Sequence, residues 1–291
     1  MPNDPSRDCA ASLELIAAPL VRAALLEDLG RGGDLTTEAI VDPALRARGR
    51  IVSRRDGVVA GIGIAALPFA MLDAGVAYKA LLGDGERVGA GETLAEIEGG
   101  ARALLTGERT ALNLLGRLSG IATLTAAMVA LVTGTRAKIA DTRKTTPTLR
   151  ALERYAVRCG GGANHRFGLD DGVLIKDNHL ALAGSMHAAV AAARARAGHM
   201  VKIEIEVETL EQLREALEEP IDAVLLDNMT PAQLAQAVAI VGGRVVIEAS
   251  GGVTRENVAQ IAATGVDLIS IGALTHSAPA LDLSMEVDLS S

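Results

Sequence analysis

Nine lysines and arginines fall between residues 136 and 176, at 136, 138, 143, 144, 150, 154, 158, 166 and 176, against four acids at 141, 153, 170 and 171. That is a local +5 in a chain of net charge −8, which leaves −13 for the rest. A basic stretch in an acidic protein suits a pocket for an anion. Within it stand Arg143, Lys144, His165, Arg166 and Lys176. An arginine grips a carboxylate or phosphate through two parallel N–H donors, and a lysine adds a point charge. Gathered together, these groups suit a ligand with two or more negative groups. Arg150, Arg154 and Arg158 also fit a plainer description, the solvated face of a helix.

Acids and glycines supply other chemistry. Glu206 and Asp227 end two neighbouring short runs, KIEIEV and AVLLD. Carboxylates so placed can bind Mg²⁺ through water, accept ribose hydroxyls, or stabilise a cationic sugar. Glu204 and Glu208 compete with Glu206, because alternate residues share one face of a strand. Further on, EASGG and SIGAL place Ser250, Gly251, Gly252 and Gly272 after two more apolar runs. Their backbone N–H groups are open to a phosphate, although two tight turns without a ligand would look the same. His165 can donate to a carboxylate, whereas His187, His199 and His276 read as structural. A His165/His179 metal site lacks a third soft ligand nearby. Cys9 and Cys159 form no CxxC pair, which argues against a disulfide framework or zinc site. No nucleophilic Ser or Cys constellation is present.

Positioning these groups takes strands. The runs 137–141, 172–175, 202–207, 223–226, 245–249 and 268–271 read as buried strands, with a further one near 163–166. Helices alternate with them. Thr146-Pro147, Thr230-Pro231 and Thr254 mark helix starts, and Gly242 and Gly265 mark ends. Apolar strands alternating with helices imply a parallel sheet. Because each strand ends in a chemically capable group, the pattern fits a (β/α) barrel with its active site at the strand carboxyl ends. A doubly wound open sheet would also place ligands at those ends.

The first hundred residues differ. Residues 12–28 read as a helix, with Leu13, Ile16, Leu20, Ala23 and Ala24 on its apolar side. Asp56-Gly57 and Asp84-Gly85 suggest hairpins. The second resembles a lipoyl-carrier hairpin, but no lysine lies between Lys79 and Lys138 to be loaded. Hydrophobic residues are 49% and aromatic ones 1%, so the core is aliphatic. The apolar tract from Leu104 to Val132 is broken by Glu108, Arg109 and Arg117, and reads as a buried helix and not a membrane span. The start, MPNDPSRDC, lacks a basic leader region, so a cytoplasmic location is expected. Net acidity argues against a nucleic-acid partner.

RKTTPTLRALERYAVRCGGGANHRFGLDDGVLIKDNH resembles the signature region of the quinolinate phosphoribosyltransferases. EDLGRGGDLTTEAI, GERTALNLLGRLSGIAT, KIEIEVETLEQL, VLLDNM, EASGG and ISIGALTHS extend the likeness, in order, along nearly the whole chain. The resemblance implies an α/β protein: an N-terminal open-faced α/β sandwich (1–116, joined by the tail 277–291) and a seven-stranded, incomplete α/β barrel (117–276). It implies transfer of phosphoribose from phosphoribosyl pyrophosphate to quinolinate with decarboxylation, giving nicotinate mononucleotide, pyrophosphate and CO₂. It also implies Mg²⁺, no organic cofactor, and a homodimer whose partner completes the site, with assembly to a hexamer left open. On that basis Arg143, His165, Arg166 and Lys176 hold quinolinate, and Arg109 reaches in from the partner. Lys144 lies near the pyrophosphate, and Thr142 belongs to the substrate-binding set. Glu206 and Asp227 face ribose and Mg²⁺. Ser250, Gly251, Gly252 and Gly272 cradle the 5-phosphate. Lys144, Lys176, Glu206 and Asp227 form the catalytic set. Ala249 departs from the family, where Ser is common; backbone contacts dominate there, so little effect is expected. Three rivals stand beside this reading: a relative of the same fold associated with molybdenum uptake, a non-catalytic phosphoribosyl pyrophosphate sensor, and an aldolase using Lys176 as a Schiff base.

Overall fold

The computed structural model describes residues 5–289, with side chains from residue 12 onward. The first four residues and the side chain of Cys9, on which the leader and cysteine readings partly rest, lie outside the described residues. Elements run α1 (Pro5–Leu29), α2 (Leu35–Ile40), β1 (Arg46–Ser53), β2 (Gly57–Val58), α3 (Leu67–Leu72), β3 (Ala77–Ala80), β4 (Arg87–Val88), β5 (Thr93–Gly100) and α4 (Ala101–Leu131). The next stretch holds β6 (Lys138–Ala140), α5 (Arg150–Cys159), β7 (Val173–Ile175), α6 (Asp177–Ala183), α7 (Met186–Arg196) and β8 (Ile203–Val207). The chain closes with α8 (Leu210–Ala216), β9 (Ala223–Asp227), α9 (Pro231–Val241), β10 (Val246–Ser250), α10 (Val258–Ala263), β11 (Leu268–Ser270), α11 (Ala273–His276) and β12 (Leu283–Leu289). Two compact units result. One holds the chain to Ala126, Thr145–Gly161 and the tail from Ser277; the other holds Ala127–Lys144 and Gly162–His276. The division falls after Ala126, within α4.

In the first unit, an antiparallel sheet has the order β12-β1-β5-β3. Along β1, buried residues alternate with exposed ones, as a sheet covered on one face requires. The covered face meets the apolar side of α3 and α4, with Ile51, Leu94, Ile97, Phe69, Leu104 and Leu115 in one cluster. The other face carries Arg48, Arg50, Lys79, Glu96 and Glu98. The hairpins expected at Asp56-Gly57 and Asp84-Gly85 do not form. β1 pairs with β12 and β5, and β2 with β4. The two aspartates serve loops instead: Asp56 accepts from Ala90 N–H at 2.9 Å, and Asp84 from Ile62 N–H at 2.9 Å. Gly120 lets the tail lie against α4, since a Cβ there would sit 2.0 Å from Pro279 O. α4 is long and apolar enough to cross a membrane, yet half of its most apolar window is buried inside the protein. α5 starts at Arg150, later than Thr146-Pro147 implied. Residues 146–149 form a turn in which Thr148 has φ 69°, and the Thr146 hydroxyl donates to Glu153 at 2.7 Å.

The second unit is a parallel sheet of order β6-β11-β10-β9-β8-β7 with helical connections. Ala163 adds a parallel bridge to Ala140, so the segment 163–166 takes the seventh position beside β6. The six strands match the six apolar runs within a residue or two. The helix starting at Pro231 is capped by Thr230 and ends at Gly242. α10 begins at Val258, after a turn in which Thr254 N–H meets Asn257 Oδ1 at 2.8 Å.

Candidate active site

Carboxyl ends of these parallel strands surround a cavity of about 450 Å³. Its lining includes Thr142, Arg143, Lys144, His165, Arg166, Lys176, Glu206, Asp227 and Ser250. The expected cations and acids, far apart in sequence, therefore meet in one place. Ladder register aligns them: Ser250 lies beside Asp227, and Glu206 beside Leu225.

Segment 163–166 is held by Asp141, a fully buried carboxylate just past β6. It accepts from His165 N–H at 2.8 Å and from the Asn164 side chain at 2.5 Å. This sets His165 and Arg166 at the mouth. Arg166 donates to Gly172 O at 2.8 Å. Burial, and then the charge of Arg143, pull its pKa below the usual guanidinium value. Crowded cations in a cavity favour an anionic ligand. Lys176 Nζ donates to Glu206 Oε2, so one cation expected at the acceptor is joined to an acid expected at the donor.

Asp227 Oδ2 accepts from the Asn228 amide at 2.7 Å. Asn228 has φ 54° and its N–H meets Ser250 O at 2.9 Å, which ties the ends of β9 and β10 together. Gly251 follows with φ 89°; a Cβ there would lie 2.2 Å from Asn228 Oδ1. Gly252 also has positive φ, so both glycines are required by the backbone path. Gly272 closes against Lys144 Cδ, 3.0 Å from where its Cβ would be. Lys144 N–H donates to Thr142 Oγ1 at 3.1 Å, and its carbonyl accepts from Thr275 at 2.8 Å.

Several expected groups do other work. His179 is exposed, and its Nδ1 accepts from Lys176 N–H at 3.0 Å as a helix cap. His187 faces Glu219 at 3.0 Å. Arg109 is exposed on α4 in the first unit and does not line the cavity. Glu208 is exposed and absent from the lining. Glu204 is buried, 3.2 Å from His165 Nε2, which distinguishes it from Glu206. Cys159 carries a free thiol whose pKa burial pushes up to about 12, an inert group and not a nucleophile.

Sequence reasoning missed Glu248 and Ser270. Both are buried, and both line the cavity. Glu248 Oε2 lies 3.5 Å from His165 Nε2. The available signal was a lone glutamate inside the apolar run VVIEA, a costly placement unless the site uses it. Burial, then the charge of Glu204, raise Glu248 to about 7, opposed by His165. For His165, burial lowers the pKa, but its hydrogen bond to Glu204 and the charges of Glu248 and Glu204 raise it above the ordinary value.

Comparison with known proteins agrees with this architecture. The family described as quinolinate phosphoribosyl transferase, N-terminal domain, matches residues 34–119, and its C-terminal domain matches residues 121–286. A probable nicotinate-nucleotide pyrophosphorylase [carboxylating] from Bacillus subtilis is 48% identical over 266 residues, covering 91% of each chain. The Mycobacterium leprae nicotinate-nucleotide pyrophosphorylase [carboxylating] is 47% identical, covering 93% of this chain and 97% of its own. The solved structure of NadC from Streptococcus pyogenes superposes with a TM-score of 0.90 at 42% identity, covering 94% of this chain and 96% of its own. Two matched domains that together span most of the sequence, and relatives alike over nine-tenths of their length, make this chain a member of the quinolinate phosphoribosyltransferase family.

Proposed function

We propose that this chain transfers the phosphoribosyl group of phosphoribosyl pyrophosphate to quinolinate, with loss of CO₂, giving nicotinate mononucleotide and pyrophosphate. The observation that carries the reading is the convergence of Arg143, Arg166 and Lys176 with Glu206 and Asp227 around one cavity. Quinolinate has two adjacent carboxylates, and desolvating a dianion takes at least two cationic partners. Arg143, Arg166 and Lys176 supply them. Ser250 and the open N–H groups after β10 and β11 suit the 5-phosphate.

Departure of pyrophosphate leaves positive character at the anomeric carbon, which Glu206 or Asp227 stabilises electrostatically. When quinolinate draws Lys176 to its carboxylate, Glu206 is released to face the ribose. The pyridine nitrogen attacks and becomes cationic. That charge then stabilises the electron pair left at the adjacent carbon when CO₂ departs, so the acceptor is its own electron sink. Hard oxygen donors such as Glu206 and Asp227 fit Mg²⁺, and Asp227 keeps one oxygen free of Asn228. Bound with the donor, Mg²⁺ would neutralise charge on the departing pyrophosphate. Lys144 adds charge nearby.

A cytoplasmic homodimer that places the partner's Arg109 at the acceptor belongs to the same reading. Arg109→Ala and Lys176→Ala chains, each inactive alone, are expected to recover activity when mixed. No recovery despite subunit exchange rejects the shared site. The principal test follows pyrophosphate, CO₂ and nicotinate mononucleotide from quinolinate and phosphoribosyl pyrophosphate with Mg²⁺. Stoichiometric release of all three is expected. Binding without turnover would favour the sensor, and borohydride trapping of Lys176 would favour the aldolase.

A further inference from the structure

Beneath the cations lies a second layer of polar groups that the mechanism above does not use. Glu248 on β10 is 1% exposed, and its Oε1 has no hydrogen-bond partner. Ser270 on β11 is 4% exposed, and its Oγ has only the Glu248 carboxyl beside it to bond. Glu248 pairs in register with Leu268, so Ser270, two residues further along, presents its side chain on the same side of the sheet. Both residues line the cavity that holds Arg143, Arg166 and Lys176. Two adjacent buried polar atoms with no partner beyond each other, facing a cavity, form one half of a binding site.

An ionised Glu248 would repel the ligand those cations select, so its surroundings decide what this layer does. From β8, Glu204 brings a negative charge towards it, and Asp141 past β6 brings another. His165, from the segment beside β6, brings its Nε2 within 3.5 Å of Glu248 and 3.2 Å of Glu204. β11 contributes only the neutral Ser270 hydroxyl, which on its own favours ionisation. One imidazole shared between two buried carboxylates does not offset both. The His165, Glu204 and Glu248 donor atoms lie within 4.8 Å of one another, a spacing that could hold a metal ion. The histidine argues otherwise: its Nδ1 accepts from Arg166 N–H at 2.7 Å, which puts a proton on Nε2 where a metal would need a lone pair.

We propose that Glu248, held as a neutral carboxylic acid, and Ser270 form a hydrogen-bonding floor that donates to one carboxylate of the bound acceptor. Glu248 thereby becomes a binding residue for the dianion despite being an acid. The floor pairs with the cations above it: they neutralise the ligand's charge, and the two hydroxyls satisfy oxygen lone pairs the cations do not reach. A raised pKa near neutrality, caused first by burial, is what such a residue requires. The inference rests on the acceptor assignment made under the proposed function.

The test measures quinolinate affinity by calorimetry for the wild type, Glu248→Gln, Glu248→Ala and Ser270→Ala at about pH 6 and about pH 8.5, either side of the neutral region where Glu248 loses its proton. Wild-type affinity is expected to fall roughly tenfold for each pH step above about 7, the slope that loss of one required proton gives. Glutamine donates a hydrogen bond at every pH, so Glu248→Gln is expected to abolish most of that slope. Glu248→Ala and Ser270→Ala are each expected to weaken binding at about pH 6, by about tenfold for one lost hydrogen bond to a charged group. A Glu248→Gln chain that keeps the wild-type slope, or weakens binding at low pH as much as alanine does, overturns the floor. If the alanine chain fails to fold, the slope comparison between wild type and glutamine decides alone. A wild type that binds no quinolinate at either pH overturns the acceptor assignment itself, an outcome distinct from a bound ligand with the wrong pH response.

Discussion

Two glutamates, one in each compact unit, are equally hidden from water and differ in everything else. Glu153 on α5 is 0% exposed, and Glu248 on β10 is 1% exposed. Glu153 is saturated with donors: Arg117 through two nitrogens at 2.9 and 3.2 Å, Thr146 N–H at 3.0 Å and the Thr146 hydroxyl at 2.7 Å. Glu248 has one imidazole at 3.5 Å and a bare oxygen. A buried acid with every lone pair occupied holds a structure together, here the Thr146–Leu149 turn against α4. A buried acid left partly unsatisfied at a cavity is kept for a ligand. Burial alone does not tell these roles apart; the count of donors does.

The largest effect expected from this contrast is on folding. Glu153→Ala strands the Arg117 guanidinium and two Thr146 donors, and should cost about 3–5 kcal/mol of stability. Urea unfolding measures it. A loss below about 1 kcal/mol would mean that saturation with donors does not identify a structural acid.

Next come the arginines. Arg117 is spent on Glu153, whereas Arg166 gives one bond to a carbonyl and has a buried Nε without a partner. Arg166→Ala should therefore cost little stability but about 2–5 kcal/mol in quinolinate recognition, and Arg143→Ala a similar amount in recognition. Steady-state kinetics and unfolding on the same preparations separate the two quantities. Near-normal kinetics in either variant would break the assignment of these cations to the acceptor.

The contrast also explains what was legible in the sequence. The barrel strands were readable because buried parallel strands are continuous apolar runs, and their polar ends announce the mouth. Arg143, Lys144, Lys176 and Asp227 were readable for the same reason, whereas Glu206 was separated from Glu204 and Glu208 only by the family resemblance. The first unit was harder to read. Its Asp-Gly signals are local, but its pairings are distant: Arg50 lies opposite Glu286. Threonine starts at 146 and 254 mark turns ahead of the helices, in which the Thr146 hydroxyl reaches Glu153 in the first turn of α5 and Thr254 N–H meets Asn257 just before α10. Glu248 was hidden by its own context, an inward strand position that periodicity fills with apolar residues. Only the three-dimensional neighbourhood shows that burial, and then the charge of Glu204 from a different strand, oppose its ionisation.

A third prediction concerns pH and the fold. An acid whose pKa is raised on folding, as burial and then Glu204 raise Glu248 to about 7, destabilises the folded state once ionised. That cost is absent below the usual glutamate range, near pH 4.5, grows as pH rises, and is complete above about 7. Glu248→Gln removes it. The variant should match the wild type at about pH 4.5 and exceed it by on the order of 1–3 kcal/mol at about pH 8. Thermal unfolding across that range checks the sign; a glutamine chain less stable at high pH would make Glu248 a structural acid like Glu153.

The smallest effect sets the lower end of the scale. Arg48 and Glu98 on the uncovered face of the first sheet are 3.1 Å apart, with side chains 59% and 44% exposed. They are as close as the Arg117–Glu153 pair, within a few tenths of an ångström, so distance would rank the two pairs together. Water decides otherwise. It solvates both partners before and after the pair forms, and salt screens what remains, so a double-mutant cycle should give under about 1 kcal/mol. The coupling between Arg117 and Glu153, measured the same way, should be several-fold larger and less sensitive to salt. Equal couplings would mean that burial adds nothing to an ion pair here, and the distinction between a saturated and an unsaturated glutamate would then have to rest on binding data alone.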